Sequence, residues 1–184
     1  LQLGPGAGQL HRALANGGQW SPVRGAAAAS TAAPRRVADA RAVFQVSDVL
    51  ADPAVRATTF GLDSALVTRG FAAVKTGTSK DMRDNWCIGY TDRYTVGVWV
   101  GNASGAPMHH VSGTQGAAPV WRALVQQLHA GAVSRPPSPP AGLVQQAMGF
   151  DGDLEPPRTE WLRGDQAVLS ATQANVPQAH IRQP

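Results

Sequence analysis

The sequence is poor in cysteine and in lysine, and it has no long apolar run. Its single cysteine, Cys87, excludes an internal disulfide and lies in an apolar, strand-like pattern, which predicts a small buried hydrophobe. No apolar run reaches the length of about 18 residues that a membrane-spanning helix needs. Only 15% of the residues are charged and 43% are apolar, so the chain has enough apolar side chains for a packed core.

The positive charge of the chain is spread along the sequence. The net charge is +4 and the pI is about 10.0, but the basic residues form no cluster beyond Arg35-Arg36. This scatter favours a solvated surface over a nucleic-acid or membrane interface. The five histidines show no metal-ligand spacing, and no Ser-His-Asp arrangement is evident. We therefore expect no metal, no other cofactor and no nucleic-acid partner.

The N-terminal part of the chain is predicted to contain two helices separated by a loop. Gln9–Asn16 is compatible with a short helix, and Gly17-Gly18 is typical of a helix end because glycine tolerates positive φ. Residues 21–34 are rich in Ala, Ser, Gly and Pro and predict a loop. Apolar residues at three- and four-residue spacings predict a helix over Val37–Ala51, which Asp52-Pro53 ends. The apolar stripe of this helix consists of Val43, Phe44, Val46 and Leu50.

The strongest structural prediction is an antiparallel sheet in the middle of the chain. Phe71–Thr78 has the alternation of a strand, and Asn85–Thr91 and Tyr94–Gly101 are rich in aromatic and β-branched residues. Asp92-Arg93 is short enough to join the last two strands in a hairpin. We therefore expect three consecutive antiparallel strands of one sheet.

The C-terminal part is predicted to hold one helix, a linker and a second module. An amphipathic pattern predicts a helix over Pro119–His129. Its apolar side is formed by Val120, Trp121, Leu124, Val125 and Leu128. The proline-rich stretch Ser134–Pro140 is typical of a stiff, extended linker, so we place a linker at 132–140 after a first domain at 1–131. Residues 141–184 are interpreted as the start of a small β module or a partly ordered tail.

The residue types of Lys75-Thr76-Gly77-Thr78 suit the recognition of a peptide carboxylate. Strand alternation places Lys75 and Gly77 on one face and Thr76 and Thr78 on the other. Lys75 offers a positive charge, the threonine hydroxyls can hydrogen-bond a carboxylate along the strand edge, and Gly77 lets an extended peptide approach. The Thr78 N–H could donate to a developing oxyanion, a contact worth about 3 kcal/mol in a transition state. The alternative is a surface strand with an ordinary lysine.

Two glycine-bearing stretches resemble phosphate-binding loops only superficially. Gly4–Gly8 has no strand before it and is interrupted by Pro5, so nucleotide binding is not expected there. Gly70–Thr76 has part of the spacing of a phosphate loop but lacks the glycine before Lys75. Its apolar run also indicates a strand, so a phosphate loop is rejected there too.

Several segments of the chain resemble, in order and spacing, the transpeptidase domain of class A penicillin-binding proteins. They are Lys75–Ser79, Arg83–Trp86, Gly89–Thr91, Val96–Asn102 and Gly116–Trp121. Ala15–Gly18 resembles the helix end that precedes this region, and Lys80–Cys87 is most like the 1C type. Glu155–Trp161 resembles the opening of that type's extra C-terminal domain. The resemblance implies an α+β fold: a partial penicillin-binding-protein and serine β-lactamase-like transpeptidase fold, followed by a small β-rich module.

The resemblance also implies serine acyl transfer in peptidoglycan synthesis. Such enzymes attack a D-Ala-D-Ala stem peptide with a serine and pass the acyl group to an amine of a neighbouring peptide, and β-lactams trap the serine. Carried over to this chain, Lys75, Thr76, Gly77 and Thr78 bind the substrate, and Lys75 and Thr78 serve catalysis. The implied partners are the stem peptide, β-lactams and other cell-wall synthesis proteins. The implied location is the periplasmic side of the inner membrane, with an upstream anchor and an upstream glycosyltransferase domain as an option.

The chain departs from the family pattern in its nucleophile. The residues three positions before the two lysines are Ala72 and Gly77, so no S-x-x-K box exists, and no serine stands two residues before any asparagine. Because both boxes precede Lys-Thr-Gly in this family, we expect the chain to be a fragment that is inactive alone. A non-catalytic substrate- or partner-binding protein on the same half-fold is the alternative. A serine β-lactamase or carboxypeptidase is disfavoured by the Trp-rich hairpin and by Glu155-Pro156-Pro157.

Overall fold

The computed structural model describes residues 6–22, 32–54, 56, 65–108, 115–148 and 158–165. The chain divides into two compact units, Leu1–Ser138 and Pro139–Pro184. The division falls within the proline-rich stretch at 134–140, inside the predicted linker. The identities assigned to the two units stay predictions.

The first unit combines helices with a central antiparallel sheet, as the predicted α+β class requires. Its elements in chain order are α1 (Gly6–Ala15), β1 (Gln19–Trp20), β2 (Arg35–Arg36), α2 (Ala40–Ala51), β3 (Ala73–Thr78), a short 3-10 turn (Lys80–Met82), β4 (Asp84–Tyr90), β5 (Thr95–Gly101) and α3 (Ala117–Leu128). The second unit contains β6 (Leu143–Met148) and β7 (Arg158–Arg163). The α+β fold class is therefore confirmed.

The central sheet has the strand order β3-β4-β5, and both pairs are antiparallel, as predicted. The hairpin between β4 and β5 closes where the Thr91 N–H donates to the Tyr94 carbonyl at 2.8 Å. Strand β3 is shorter than predicted, since it begins at Ala73 and not at Phe71. The reason is that the Phe71 N–H donates to the carbonyl of Ser134 and so does not join the ladder with β4.

One face of the sheet packs against α3 and forms the main core. The buried members of this core are Leu66, Ala72, Val74, Cys87, Val98, Ala117, Ala118, Trp121 and Val125. Trp121 is fully buried, and its indole N–H donates to the carbonyl of Val96 at 3.1 Å. A Cβ at Gly89 would lie 2.6 Å from Trp121 Cζ2, so the glycine is what allows the ring to lie against the strand.

The opposite face of the sheet packs against α1 and α2. Tyr90 follows Gly89 along β4, so its side chain lies on this second face. Its hydroxyl is hydrogen-bonded to Ser47 Oγ of α2 at 2.7 Å, and its ring makes an edge contact with His11 of α1. Helices thus pack on both faces of the sheet.

The first two helices differ from their predicted bounds. The first begins at Gly6, three residues before the predicted Gln9, and positive φ at Gly17 and Gly18 confirms the predicted stop after it. The second begins at Ala40 and not at Val37, because Asp39 Oδ1 accepts the N–H of Arg41 at 2.8 Å and so caps the helix.

The apolar stripe predicted for the second helix is only partly correct. Val43 and Phe44 are buried, but Val46 is 45% exposed, and Ser47 is buried in its place. The Ser47 hydroxyl is satisfied there by Tyr90 and by the carbonyl of Val43 at 2.7 Å. A polar residue therefore occupies a core position that the sequence pattern assigned to a valine.

The third helix begins at Ala117, two residues before the predicted Pro119, and ends at Leu128. Its predicted apolar side is wrong in part. Trp121 and Val125 are buried, but the row formed by Val120, Leu124 and Leu128 is between 43% and 49% exposed. The physical reason is that Ala117 and Ala118 let the helix approach the sheet closely along one narrow stripe, which turns the neighbouring row outward.

The second unit is an antiparallel hairpin in the part that the structure describes. Leu143 pairs with Arg163 at one end and Met148 with Arg158 at the other. Strands were predicted here only as the start of a small β module. Glu155-Pro156-Pro157, Gly4, Pro5 and His109-His110 lie outside the described residues, as does most of the predicted loop at 21–34.

Candidate functional site

The segment Lys75–Thr78 forms the end of β3, which pairs with β4 on one side only in the described part of the sheet. The Ser79 N–H donates to the Asp84 carbonyl at 2.9 Å, directly after the ladder. Since hydrogen-bonded and non-hydrogen-bonded pairs alternate in an antiparallel ladder, the backbone groups of Thr76 and Thr78 are directed away from β4. They therefore face the outer edge of the strand, where an extended peptide can approach.

A groove of about 310 Å³ runs along this part of β3. Its walls are formed by five consecutive residues of the strand end, Lys75 to Ser79, together with Trp86 and Ile88 of β4 and His11 of α1. The strand alternation means that the groove borders both the outer edge and the face that Lys75 shares with Trp86 and Ile88. The predicted site residues thus surround one depression.

The Lys75 side chain is exposed, and its ammonium lies at the strand edge, next to the Thr76 carbonyl. Its Nζ donates to the carbonyl of Thr76 at 2.5 Å. An ammonium carries three donors, so two remain for other acceptors that enter the groove. Gly77 presents only backbone here, and the space that a Cβ would take is open, with none of the described atoms within 4 Å of it.

The threonines lie on the opposite face of the strand, next to a buried asparagine. Thr76 pairs with Cys87, and Thr78 pairs with Asn85. Asn85 is fully buried, and its Oδ1 accepts the N–H of Ala117 at 2.9 Å. Asn85 therefore caps α3, since the residue at the N-cap position, Gly116, has no side chain to do so. Strand β4, which pairs with Thr78, is thus hydrogen-bonded to the N-terminus of α3.

Two tryptophans lie beside the groove on the Lys75 face. The rings of Trp86 and Trp99 are 6.4 Å apart and tilted by 49°. The indole N–H of Trp99 donates to Asp84 Oδ1 at 2.9 Å. The indole N–H of Trp86 is buried and has no hydrogen-bond partner in the part of the chain that the structure describes. The side chains of Trp86 and Ile88 make this side of the groove aromatic and aliphatic.

The thiol of Cys87 is not a candidate nucleophile. Cys87 is fully buried under α3, and burial raises the pKa of its thiol to about 12. At neutral pH the thiol is protonated, and a thiol attacks only as the thiolate. Its burial agrees with the sequence-based prediction of a small core residue. Among the described residues, no group of three His, Cys, Asp or Glu side chains lies close enough to hold a metal ion.

A larger cavity, of about 610 Å³, lies away from this groove between residues 68–71 and 125–134. One of its residues is His129, whose Nε2 is hydrogen-bonded to Thr91 Oγ1 at 2.9 Å and whose Nδ1 is bonded to the carbonyl of Ala132. None of the predicted site residues lines it. Although it is larger, this cavity is therefore not the one that contains the predicted site residues.

Lys75–Thr78 is predicted from the sequence, but four side chains around this segment are not. Trp86, Ile88 and His11 line the groove, and Asn85 ties the neighbouring strand to α3. Strand pairing, once the register is known, would have placed Trp86 opposite Gly77 and Asn85 opposite Thr78. No sequence signal indicates His11, which is brought to the groove only by the packing of α1.

Comparison with known proteins gives partial matches in sequence. The chain is 43% identical over 58 residues to penicillin-binding protein 1C of Escherichia coli, which is 32% of this chain and 8% of that protein. It is 38% identical over 52 residues to penicillin-binding protein 4 of Bacillus subtilis, covering 28% of this chain and 8% of that protein. Penicillin-binding protein 1A of E. coli is 33% identical over 85 residues, covering 38% of this chain and 10% of that protein.

The fold matches as well. The crystal structure of penicillin-binding protein 1A from Haemophilus influenzae superposes with a TM-score of 0.57 and 18% identity, covering 70% of this chain and 21% of that chain. No protein-family profile matches the chain. Over parts of its length the chain is thus homologous to class A penicillin-binding proteins, and it has a partial transpeptidase fold. The matched segments make up a tenth or less of the length of the curated relatives. Within the described residues, no helix has both the length and the apolar character to cross a bilayer.

Proposed function

We propose that this chain forms one wall of the active site of a D-Ala-D-Ala transpeptidase that cross-links peptidoglycan. The observation that carries the proposal is the position of Lys75–Thr78, at the outer edge of β3 and along a groove. The homology to penicillin-binding proteins supports the reaction class. The bound molecules are then a stem peptide ending in D-Ala-D-Ala, or a β-lactam that mimics it.

Lys75 binds the terminal carboxylate of the substrate in this proposal. Its ammonium lies at the strand edge and, besides the bond to the Thr76 carbonyl, has two donors left for a carboxylate. The hydroxyls of Thr76 and Thr78 reach the same carboxylate from the other face of the strand. Because Lys75 is exposed, solvent screens its attraction to the carboxylate, and the contact is expected to position the substrate more than to hold it tightly.

The outer edge of β3 pairs with the substrate backbone as an added strand. The backbone groups of Thr76 and Thr78 point to that edge by the alternation of the ladder. Gly77 has no side chain to obstruct the approach. The Thr78 N–H supplies half of the oxyanion hole, and donors of this kind typically contribute about 3 kcal/mol to a transition state.

The nucleophile comes from outside these 184 residues, since they contain no S-x-x-K and no S-x-N box. We propose that the chain is inactive alone, and that the serine and its lysine base lie on an upstream part of a longer protein. Within the class A proteins we favour the 1C type, on the residues Lys80–Cys87. A periplasmic location with an upstream membrane anchor, and an upstream glycosyltransferase domain, belong to the same proposal.

The test uses a fluorescent penicillin on the longest protein that contains this chain. The parent protein is expected to be labelled covalently, and the isolated 184 residues are not. Lys75→Ala should slow labelling by about 10- to 100-fold, the size expected for losing a hydrogen bond from a charged donor. Lys80→Ala is the matched control, since Lys80 is the other lysine, is exposed and does not line the groove.

Two outcomes would reject this proposal. Labelling of the isolated chain at any serine would contradict the missing nucleophile. An unlabelled parent protein would remove the enzymatic function and favour the second candidate, a non-catalytic protein that binds cell-wall substrate or a partner through the same groove. The absence of the two boxes from the present sequence is what keeps that candidate open.

A further inference from the structure

A chain of hydrogen bonds links β5 to the end of β3. The indole N–H of Trp99 donates to Asp84 Oδ1 at 2.9 Å. The backbone N–H of Asp84 in turn donates to Ser79 Oγ at 2.8 Å, and the Ser79 N–H donates to the Asp84 carbonyl at 2.9 Å. Ser79 follows Thr78 directly, so this chain ends at the residue next to the proposed oxyanion donor.

The turn that these bonds close has an unfavourable backbone. Asp81 and Met82 have φ values of 62° and 53°, in the left-handed region that residues with a Cβ rarely adopt. Such conformations persist where the surrounding structure enforces them. The Arg83–Asp81 ion pair is long, at 3.8 Å, and both side chains are more than half exposed, so it does little to hold the turn. The Ser79–Asp84 bonds hold the turn at its base. Within the turn the Met82 N–H donates to the Ser79 carbonyl at 3.1 Å, and the Met108 N–H donates to the Met82 carbonyl at 3.2 Å.

The Trp99 ring is placed for this contact by a glycine. Gly101 pairs with Asp84 across the β4–β5 ladder. A Cβ on Gly101 would lie 2.5 Å from Trp99 Cζ2 and 2.9 Å from the carbonyl of Arg83. The missing side chain is what lets the ring fold across the strand end and bring its N–H to the carboxylate. The contact is thus built into the hairpin, although Trp99 is 43% exposed.

We propose that Trp99 is a positioning residue for acyl transfer. By holding Asp84, and through it Ser79, it fixes the position of the Thr78 N–H at the end of β3. The inference rests on the proposed function, because it assigns Trp99 to the same site. It predicts that losing the indole N–H affects the acylation step more than the binding of the β-lactam.

The experiment measures the time course of labelling by a fluorescent penicillin at several concentrations, on the longest protein that contains this chain. Trp99→Phe should lower the limiting acylation rate about tenfold, because a misplacement of about 1 Å can cost about 100-fold and the shift expected here is smaller. The half-saturating concentration should change less than about twofold. Trp20→Phe is the matched control: the same substitution, in the separate β1–β2 ribbon.

Two substitutions of Asp84 distinguish its role as a hydrogen-bond acceptor for Trp99 from an effect of its negative charge. Asp84→Asn keeps an oxygen acceptor for the indole N–H and should label at nearly the wild-type rate, whereas Asp84→Ala should be as slow as Trp99→Phe. Combining Trp99→Phe with Asp84→Ala should slow labelling no further, because both changes break the same bond. Equal losses in Asp84→Asn and Asp84→Ala would instead assign the effect to the charge of Asp84 and overturn the proposal.

Amide hydrogen exchange gives a second readout that needs no activity. Trp99→Phe should speed exchange at the Ser79 and Asp84 amides about tenfold relative to the amides in the middle of β4, since the turn would open locally. Unchanged exchange at both amides, or a wild-type acylation rate in Trp99→Phe, overturns the inference. An unlabelled wild-type protein would refute the proposed function, while the exchange experiment would still decide whether Trp99 holds the turn.

Discussion

Replacing Asn85 with alanine is expected to destabilise the first unit by about 2 kcal/mol, because it leaves a buried donor without its acceptor. Asn85 and Ala117 are both fully buried, and the Asn85 Oδ1 accepts the Ala117 N–H at 2.9 Å. Bulk solvent does not reach this site, because neither residue has exposed surface. The bond also caps α3, and the loss of a cap alone costs about 1 kcal/mol. These two descriptions concern the same bond, so their free energies are not added.

The expected change is large enough to measure by thermal unfolding. For a unit of the size of Leu1–Ser138, 1 kcal/mol corresponds to a Tm shift of about 3 °C, so Asn85→Ala should lower the Tm by about 6 °C. Denaturant unfolding should show a lower midpoint with an unchanged m-value. Both measurements use the longest protein that contains this chain, followed by a signal from the first unit.

The matched control is Asn102→Ala, the same substitution at an exposed site. The Asn102 amide donates to the carbonyl of Ala106 at 3.0 Å on the surface, where water can replace it. Its effect should stay within about 0.5 kcal/mol. If Asn85→Ala were as mild as Asn102→Ala, the buried cap on α3 would not contribute to stability as the structure implies.

Two further substitutions test the core beneath the sheet. Gly89→Ala should destabilise the first unit by about 1–3 kcal/mol, since its Cβ would lie 2.6 Å from Trp121 Cζ2 and 2.8 Å from the Ala73 carbonyl. Gly97→Ala is the control, because its Cβ would meet only an ordinary contact at 3.7 Å. Equal effects of the two substitutions would contradict the packing of Trp121 against Gly89. Burial raises the pKa of the Cys87 thiol from 9.0 to about 12, so the unfolded chain loses this proton at a lower pH than the folded chain does. The contribution of this group to stability is therefore intact below about pH 9 and falls as the pH rises toward 12. Cys87→Ala should flatten that part of the stability curve, and identical slopes above pH 9 in both proteins would refute the assignment.

The sheet was predictable because its signals are local. Strand alternation and the short Asp92-Arg93 connection depend on neighbouring residues, and β4 and β5 lie within one residue of their predicted bounds at each end. The helix ends were less predictable. Asp39 caps α2 with its own side chain, but α3 is capped by Asn85 from a distant strand, which no pattern around Ala117 indicates.

The burial of helix faces was also beyond the sequence pattern. Val120 and Val125 have the same side chain and both lie on the apolar side predicted for α3, yet Val125 is 4% exposed and Val120 is 49% exposed. Which row is buried depends on how the helix packs on the sheet, and the helix residues that join the core are Ala117, Ala118, Trp121 and Val125. Periodicity marks an amphipathic helix, but the partner surface selects the stripe.

By itself the sequence determined the strand that carries Lys75-Thr76-Gly77-Thr78, the hairpin beside it and the absence of a serine box within these residues. These depend on residue types and short spacings, which survive without tertiary context. Only the tertiary structure decided that His11 and Trp86 share a groove with Lys75 and that Trp99 reaches Asp84. Those contacts join residues from different elements, so they exist only once the register and the packing of the helices bring the side chains together.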